Sequence, residues 1–143
     1  QVFLDLGEIS GPLMDRIDMH IEVTPVPFED LSSMEKGENS EAIRSRVIEA
    51  RARQKERFEE HEGIYANAMM PSQMLRVYCS IDKQGESLLK VAMSKLDLSA
   101  RAFDRILKVA RTIADLAREE RILPSHIAEA IQYRSLDREN WAG

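Results

Sequence analysis

Residues 96–117 read LDLSARAFDRILKVARTIADLA. Within them Phe103, Ile106, Leu107, Ala110, Ile113, Ala114 and Ala117 recur at i, i+3, i+4 and i+7, the spacing that gathers side chains on one face of an α-helix. Ser99 stands where an N-cap belongs, and Arg101, Arg105, Lys108 and Thr112 fall almost opposite the apolar stripe. The pattern predicts a helix over 99–119 with one face buried by other elements and the other cationic. A chain built around such a helix is mainly α.

Working outward, the elements on either side follow the same period. Pro124 suits the first turn of a last helix with Ile127, Ala130, Ile131 and Tyr133 on its buried side. Upstream, GESLLKVAMSKL (85–96) and SQMLRVYC (72–79) read as shorter helices, the latter opened by Pro71. Residues 61–72 are an irregular connection. Ser40 is a plausible N-cap for a helix over about 41–60, in which Ile43, Val47, Ala50, Gln54 and Phe58 share a narrow face. Arg44, Arg51 and Lys55 flank it on one side, and Arg46, Arg53 and Arg57 on the other. Residues 28–40 are polar, broken by Gly37 and Asn39, and act as a linker with at most one short helical turn.

Residues 17–26, IDMHIEVTPV, have a different period. Ile17, Met19, Ile21 and Val23 alternate with Asp18, His20, Glu22 and Thr24, which predicts a half-buried strand ended by Pro25 and Pro27. One strand is not a sheet, so partners are expected in residues 1–9, in another chain, or upstream. The first residue is Gln1, and the chain is expected to be a piece of a longer protein.

Composition narrows the functions. With 43% hydrophobic and 31% charged residues over 143 positions, the chain can bury a core and is expected to be soluble. No apolar run reaches the ~18 residues that span a bilayer. The net charge of −5 excludes a surface that is wholly a nucleic-acid footprint, while leaving local basic patches open. A single cysteine, Cys79, has no internal disulfide partner and sits among apolar neighbours, which suggests a reduced, buried thiol and a cytoplasmic setting. His20, His61 and His126 lack metal-ligand spacing, so no metal site is predicted. No nucleophile motif is present, and no GxxxxGK[ST] phosphate loop either.

Three cationic features carry the chemistry, and each has two readings. Arg101 lies in the first turn of its helix, where unpaired N–H groups already make the potential positive. It is either paired with Asp97 or Asp104 or available to a phosphate. Arg16, in SGPLMDRID (10–18), either pairs with Asp15 and Asp18 or projects a permanently charged fork towards a phosphate on a neighbouring molecule. The basic residues between Arg44 and Arg57 either lay their methylenes over the core edge with wet heads or touch nucleic acid.

Four segments in order, SGPLMDRIDMHIEV, NAMMPSQML, LDLSARAFDRILKVARTIADLA and HIAEAIQYRSLDR, resemble the C-terminal part of the magnesium-chelatase-like AAA+ ATPases, closest to the bacterial competence-related branch-migration helicase subgroup. The resemblance implies a helical-bundle lid over 28–143, preceded in 1–27 by the last strand and finger segment of the ATPase core. It implies that Arg16 is an arginine finger acting in trans, Arg101 the sensor 2 arginine, and Arg105 a weaker nucleotide contact. It also implies ATP with Mg²⁺ as cofactor in the full-length protein, a homo-hexameric ring as partner, and DNA remodelling as the outcome. Lacking the phosphate loop, residues 1–143 alone are expected to be inactive. The competing expectation is a helical DNA- or protein-binding module that uses the Arg44–Arg57 helix.

Overall fold

Because Ser99 accepts a hydrogen bond from the Ala102 N–H at 3.2 Å, the amphipathic segment begins as expected, and it runs as a helix over Ala100–Leu116. The computed structural model describes residues 16–21, 23, 25 and 37–139, the side chains of 135–139 excepted. Five α-helices are present among them: α1 (Ser40–Arg57), α2 (Ser72–Tyr78), α3 (Lys83–Lys95), α4 (Ala100–Leu116) and α5 (Pro124–Glu139). A single 3₁₀ turn, Asn67–Met69, lies inside the irregular connection. The chain is a mainly α helical bundle.

Helix α4 is its axis. It packs against α1, α2, α5 and the 3₁₀ turn, while α3 packs on α5. Ile106, Leu107, Ala110 and Ala114 are buried as the period required, and Ala102 joins them. Burying Ile106 and Leu107 contributes about 1.5–3 kcal/mol each. The three buried alanines serve a different end, since a methyl at the contact lets neighbouring helices approach closely. Met70, Leu89 and Ile127 fill the space between the helices, with Phe58, Met74, Leu75, Cys79, Ile122 and Ala130 completing the core.

Helix ends differ from the sequence expectation by a few residues. Asn39, not Ser40, caps α1: its side chain accepts from the Ala42 N–H at 2.8 Å. Asn is at least as good a cap as Ser, and starting one residue earlier lets Ser40 enter the helix. Helix α4 stops at Leu116 instead of 119 because Arg118 adopts φ +63°. The Glu119 N–H then bonds the Ala114 carbonyl (2.8 Å) and the Arg118 N–H the Asp115 carbonyl (3.1 Å), the paired closure of a Schellman motif. Helix α3 ends alike, with Asp97 at φ +45° and the Leu98 N–H on the Met93 carbonyl at 3.0 Å. Asp82 caps α3 through the Gly85 N–H, two residues earlier than the apolar run suggested.

Only half of α1 is docked. Ala50, Gln54 and Phe58 are buried, while Ile43 and Val47 on the same face are exposed. At the other end of the chain, no strand is assigned among the described residues, and part of the expected 17–26 strand lies outside them, as does the short turn expected in 28–40. The alternation is nevertheless visible in exposure: Ile17, Met19, Ile21 and Val23 face solvent, whereas Asp18 and His20 are partly covered. Among the described residues, no helix is long and apolar enough to cross a membrane.

Candidate functional site: a cationic recess beside the start of α4

The polar face of α4 is not simply bathed in water. Asp18, Ala68, Arg101, Asp104, Arg105 and Lys108 line a recess of about 210 Å³ on it. Helical spacing explains the cations: Arg101, Arg105 and Lys108 are four and three residues apart and so stand one above the other. Tertiary contacts supply the rest. The Lys108 ammonium donates to the Ala68 carbonyl at 3.2 Å, and the Ser72 hydroxyl bonds the Asp104 carboxylate. Arg105 forms an ion pair with Asp18, 87 residues earlier in the chain.

Arg101 stands apart from these pairings. It is exposed, and it forms no ion pair among the described residues. The first turn of α4 carries no acidic residue, so its unpaired N–H groups and the Arg101 guanidinium add their positive potentials. Three cations face two carboxylates in the recess, an excess of one positive charge suited to an anion.

Arg16 is exposed and immediately precedes a stretch fastened to the helices. The Arg134 guanidinium donates to the Ile17 carbonyl at 2.6 Å, and the His20 N–H donates to the Tyr133 carbonyl at 2.8 Å. Together with Asp18–Arg105, these bonds bring residues 17–20 against α4 and α5. Asp18 is thus engaged by Arg105, which pairs outside the helical bundle. Sequence reasoning passed over Arg134, although a signal existed: it lies seven residues after Ile127, in line with the buried side of α5.

At the far end of α4 lies a second polar cluster that sequence reasoning also missed. Arg57 grips both Asp115 oxygens, at 2.8 and 2.5 Å, and donates to the Asn67 side-chain oxygen at 2.8 Å. The Asn67 amide nitrogen bonds Asp115 at 2.8 Å and Thr112 at 3.0 Å, and its backbone N–H bonds Gln54 at 2.9 Å. Arg111 adds an ion pair to Asp115 at 3.2 Å and donates to the carbonyls of Glu119 and Glu120. Burial presses the Arg111 guanidinium below its ordinary pKa, with Asp115 opposing. Arg57 was expected to keep its head in water; Asp115 and Asn67 draw it inward instead. The i, i+4 pair Arg111/Asp115 on the edge of an apolar stripe was the available clue.

The helical bundle and the cationic recess at its central helix define a class, and comparison with known sequences identifies it. Residues 37–134 match the family described as magnesium chelatase, subunit ChlI C-terminal, a match that leaves Arg16 outside it. The chain belongs to that family, as a C-terminal region of the magnesium-chelatase-like AAA+ proteins. It is 39% identical over 139 residues to the competence protein ComM of Haemophilus influenzae, a span covering 96% of this chain and 26% of that protein. It is 37% identical over 134 residues to the uncharacterized protein YifB of Escherichia coli (strain K12), covering 93% of this chain and 26% of that one. The chain therefore spans about a quarter of the length of the curated relatives it matches.

Proposed function

We propose that this chain acts as the lid (28–143) and arginine-finger portion (1–27) of an oligomeric AAA+ ATPase, completing nucleotide sites at the interfaces between subunits. The observation that carries this reading is Arg101, an exposed guanidinium in the first turn of α4 that forms no ion pair among the described residues, at the rim of a recess with net positive charge. It is the sensor 2 arginine of this reading. Arg105, already paired with Asp18, is the weaker phosphate contact.

ATP with Mg²⁺ is the implied cofactor, and these residues fit its phosphates: Arg101 as the sensor 2 arginine, and Arg16 reaching from one subunit into the next. When bound, the nucleotide supplies a transferable γ-phosphoryl group. Arg16 contributes a fixed charge that stabilises the oxygens of that group, an effect worth ~10³ to 10⁵ in rate for a finger supplied in trans. Neither role requires the fragment to hold nucleotide alone. The ring is proposed to be a homo-hexamer in the cytoplasm. Likeness to a protein named for competence makes DNA the proposed object of the motor, with branch migration its action.

In the full-length protein, Arg16→Ala is expected to lower ATP turnover by at least ~10³ with nucleotide affinity nearly unchanged. Mixing it with a variant defective in the upstream phosphate loop should restore part of the activity. Absence of recovery at every mixing ratio would mean that Arg16 does not act between subunits. Arg101→Ala should abolish the hydrogen-exchange protection that ATP confers on the first turns of α4.

A second reading is favoured by α1. Arg44, Arg51 and Lys55 are exposed along one side of it, and form no ion pair among the described residues. Such a stripe can face a phosphate backbone as a DNA-binding module. Titrating the 143-residue chain with duplex and branched DNA at two salt concentrations distinguishes the two. Strong binding that weakens steeply with salt supports the module, and no binding leaves the motor part as the reading.

A further inference from the structure

The segment after Arg16 is held in an unusual way. Its apolar side chains cover it only in part: Ile17, Met19 and Ile21 are 37%, 39% and 69% exposed, and Met19 alone of the three lines a recess with Val109, Ile113 and Leu116. Three polar ties hold it, within four consecutive residues. Arg134 holds the Ile17 carbonyl, Arg105 holds the Asp18 carboxylate, and the Tyr133 carbonyl holds the His20 N–H. The partners come from two helices and lie 87 to 117 residues away in sequence.

Arg134 is the telling member. It is only 2% exposed, and burying a guanidinium costs several kcal/mol unless its donors find acceptors. The bundle has one other arginine so buried, Arg111, whose bonds to the Glu119 and Glu120 carbonyls fix the path of the chain after α4. Arg134 does the same for the path of the chain after Arg16. Backbone carbonyls are fixed points, whereas apolar contacts tolerate sliding, so a clamp of this kind sets position and direction.

From this geometry we infer that Asp18, Arg105 and Arg134 are positioning residues for Arg16, a clamp that makes the finger segment and the helical lid a single body. The inference rests on Arg16 being the finger. Its consequence is mechanical. Arg101 on α4 and Arg16 beyond the clamp move together, so a lid that turns when Arg101 meets phosphate carries Arg16 with it towards or away from the neighbouring site.

Steady-state ATP turnover of the full-length protein tests this, with Arg16→Ala, Arg134→Gln, Asp18→Asn and the doubles Arg16→Ala/Arg134→Gln and Arg16→Ala/Asp18→Asn. Arg134→Gln is expected to lower kcat at least tenfold and Asp18→Asn at least threefold, with KM changed less than twofold. Either change on top of Arg16→Ala is expected to cause no further loss beyond twofold, because both act through the same guanidinium. Arg134→Lys, which keeps a cation able to donate to the Ile17 carbonyl, should recover most of the rate. If Arg16→Ala itself leaves kcat intact, the finger reading fails. If Arg16→Ala is slow but Asp18→Asn and Arg134→Gln are unimpaired, or add fully to it, the clamp alone is overturned. Should Arg134→Gln not fold, Asp18→Asn decides, since Asp18 is half exposed and its variant keeps the bundle intact.

Discussion

Two Arg–Asp pairs sit towards opposite ends of α4, and they are built for different purposes. Near the C-terminal end, Asp115 is fully buried, and Arg57 is only 15% exposed. Every oxygen of that carboxylate is used, by Arg57, Arg111 and Asn67. Near the N-terminal end, Arg105 and Asp18 are 29% and 46% exposed, with Arg101, which forms no ion pair among the described residues, next to them. The buried pair joins α1, the 3₁₀ turn and α4 into one unit and has no room to exchange partners. The half-exposed pair joins the bundle to residues 17–20, and water and ions can compete for it. One helix therefore carries a buried tie at one end and a half-exposed tie at the other.

The largest expected effect breaks the comparison at its buried tie. Asp115→Ala would leave two guanidinium groups and the Asn67 amide without their shared acceptor in a dry site. The expected loss is about 3–5 kcal/mol, lowering Tm by about 10–20 °C. Asp18→Ala, which removes the same chemical group from the exposed pair, should cost less than about 1 kcal/mol. Thermal melts of both variants check the contrast; equal losses would mean that burial does not separate the two pairs.

How far the sequence revealed this contrast depends on which residues are asked about. The stripe of Ile106, Leu107, Ala110 and Ala114 is written in local spacing, and so was readable. Arg101 was readable too, because an arginine in a first turn is electrostatically odd wherever the rest of the chain lies. Arg57–Asp115 and Arg105–Asp18 are separated by 58 and 87 residues. No periodicity connects such pairs, and their meeting is decided by how α1 and residues 17–20 dock on α4. The undocked half of α1 makes the same point: Ile43 and Val47 obey the helical period yet remain exposed, since the period gives a face and not the length of its partner.

A second prediction sharpens the comparison with pH. Cys79 belongs to the buried side, and loss of hydration pushes its thiol up to about 12. In the unfolded chain the thiol ionises near ~8.5. Between these values the unfolded state holds fewer protons than the folded one, so stability falls as pH rises through that window and is unaffected below it. At ~1.4 kcal/mol per pH unit, moving from pH 8 to pH 10 should cost about 2 kcal/mol more in the natural chain than in Cys79→Ala. Urea denaturation at the two pH values measures the difference. A thiol reagent should label Cys79 in the folded chain only as fast as the bundle opens.

The smallest effect is expected at Arg118, where the end of α4 that carries the buried tie meets solvent. Its φ of +63° suits glycine and costs a side chain roughly 1 kcal/mol. The surroundings impose it: the Schellman bonds close the helix on one side, and Arg111 holds the Glu119 and Glu120 carbonyls on the other. Arg118 receives one return, an ion pair with Glu49 at 2.7 Å, but both side chains are largely exposed, so it is worth at most about 1 kcal/mol. Arg118→Gly relieves the backbone and loses that pair, while the glycine also gains freedom in the unfolded chain. These contributions nearly cancel, and the net change is expected to lie within about 0.5 kcal/mol of zero. Glu49→Gln separates the terms by removing the pair and leaving the backbone alone, and should lower stability by no more than about 0.5 kcal/mol. If Arg118→Gly instead destabilised by more than about 1 kcal/mol while Glu49→Gln were silent, the turn would be held by Arg118 itself, and Arg111 would not be what fixes this end of α4.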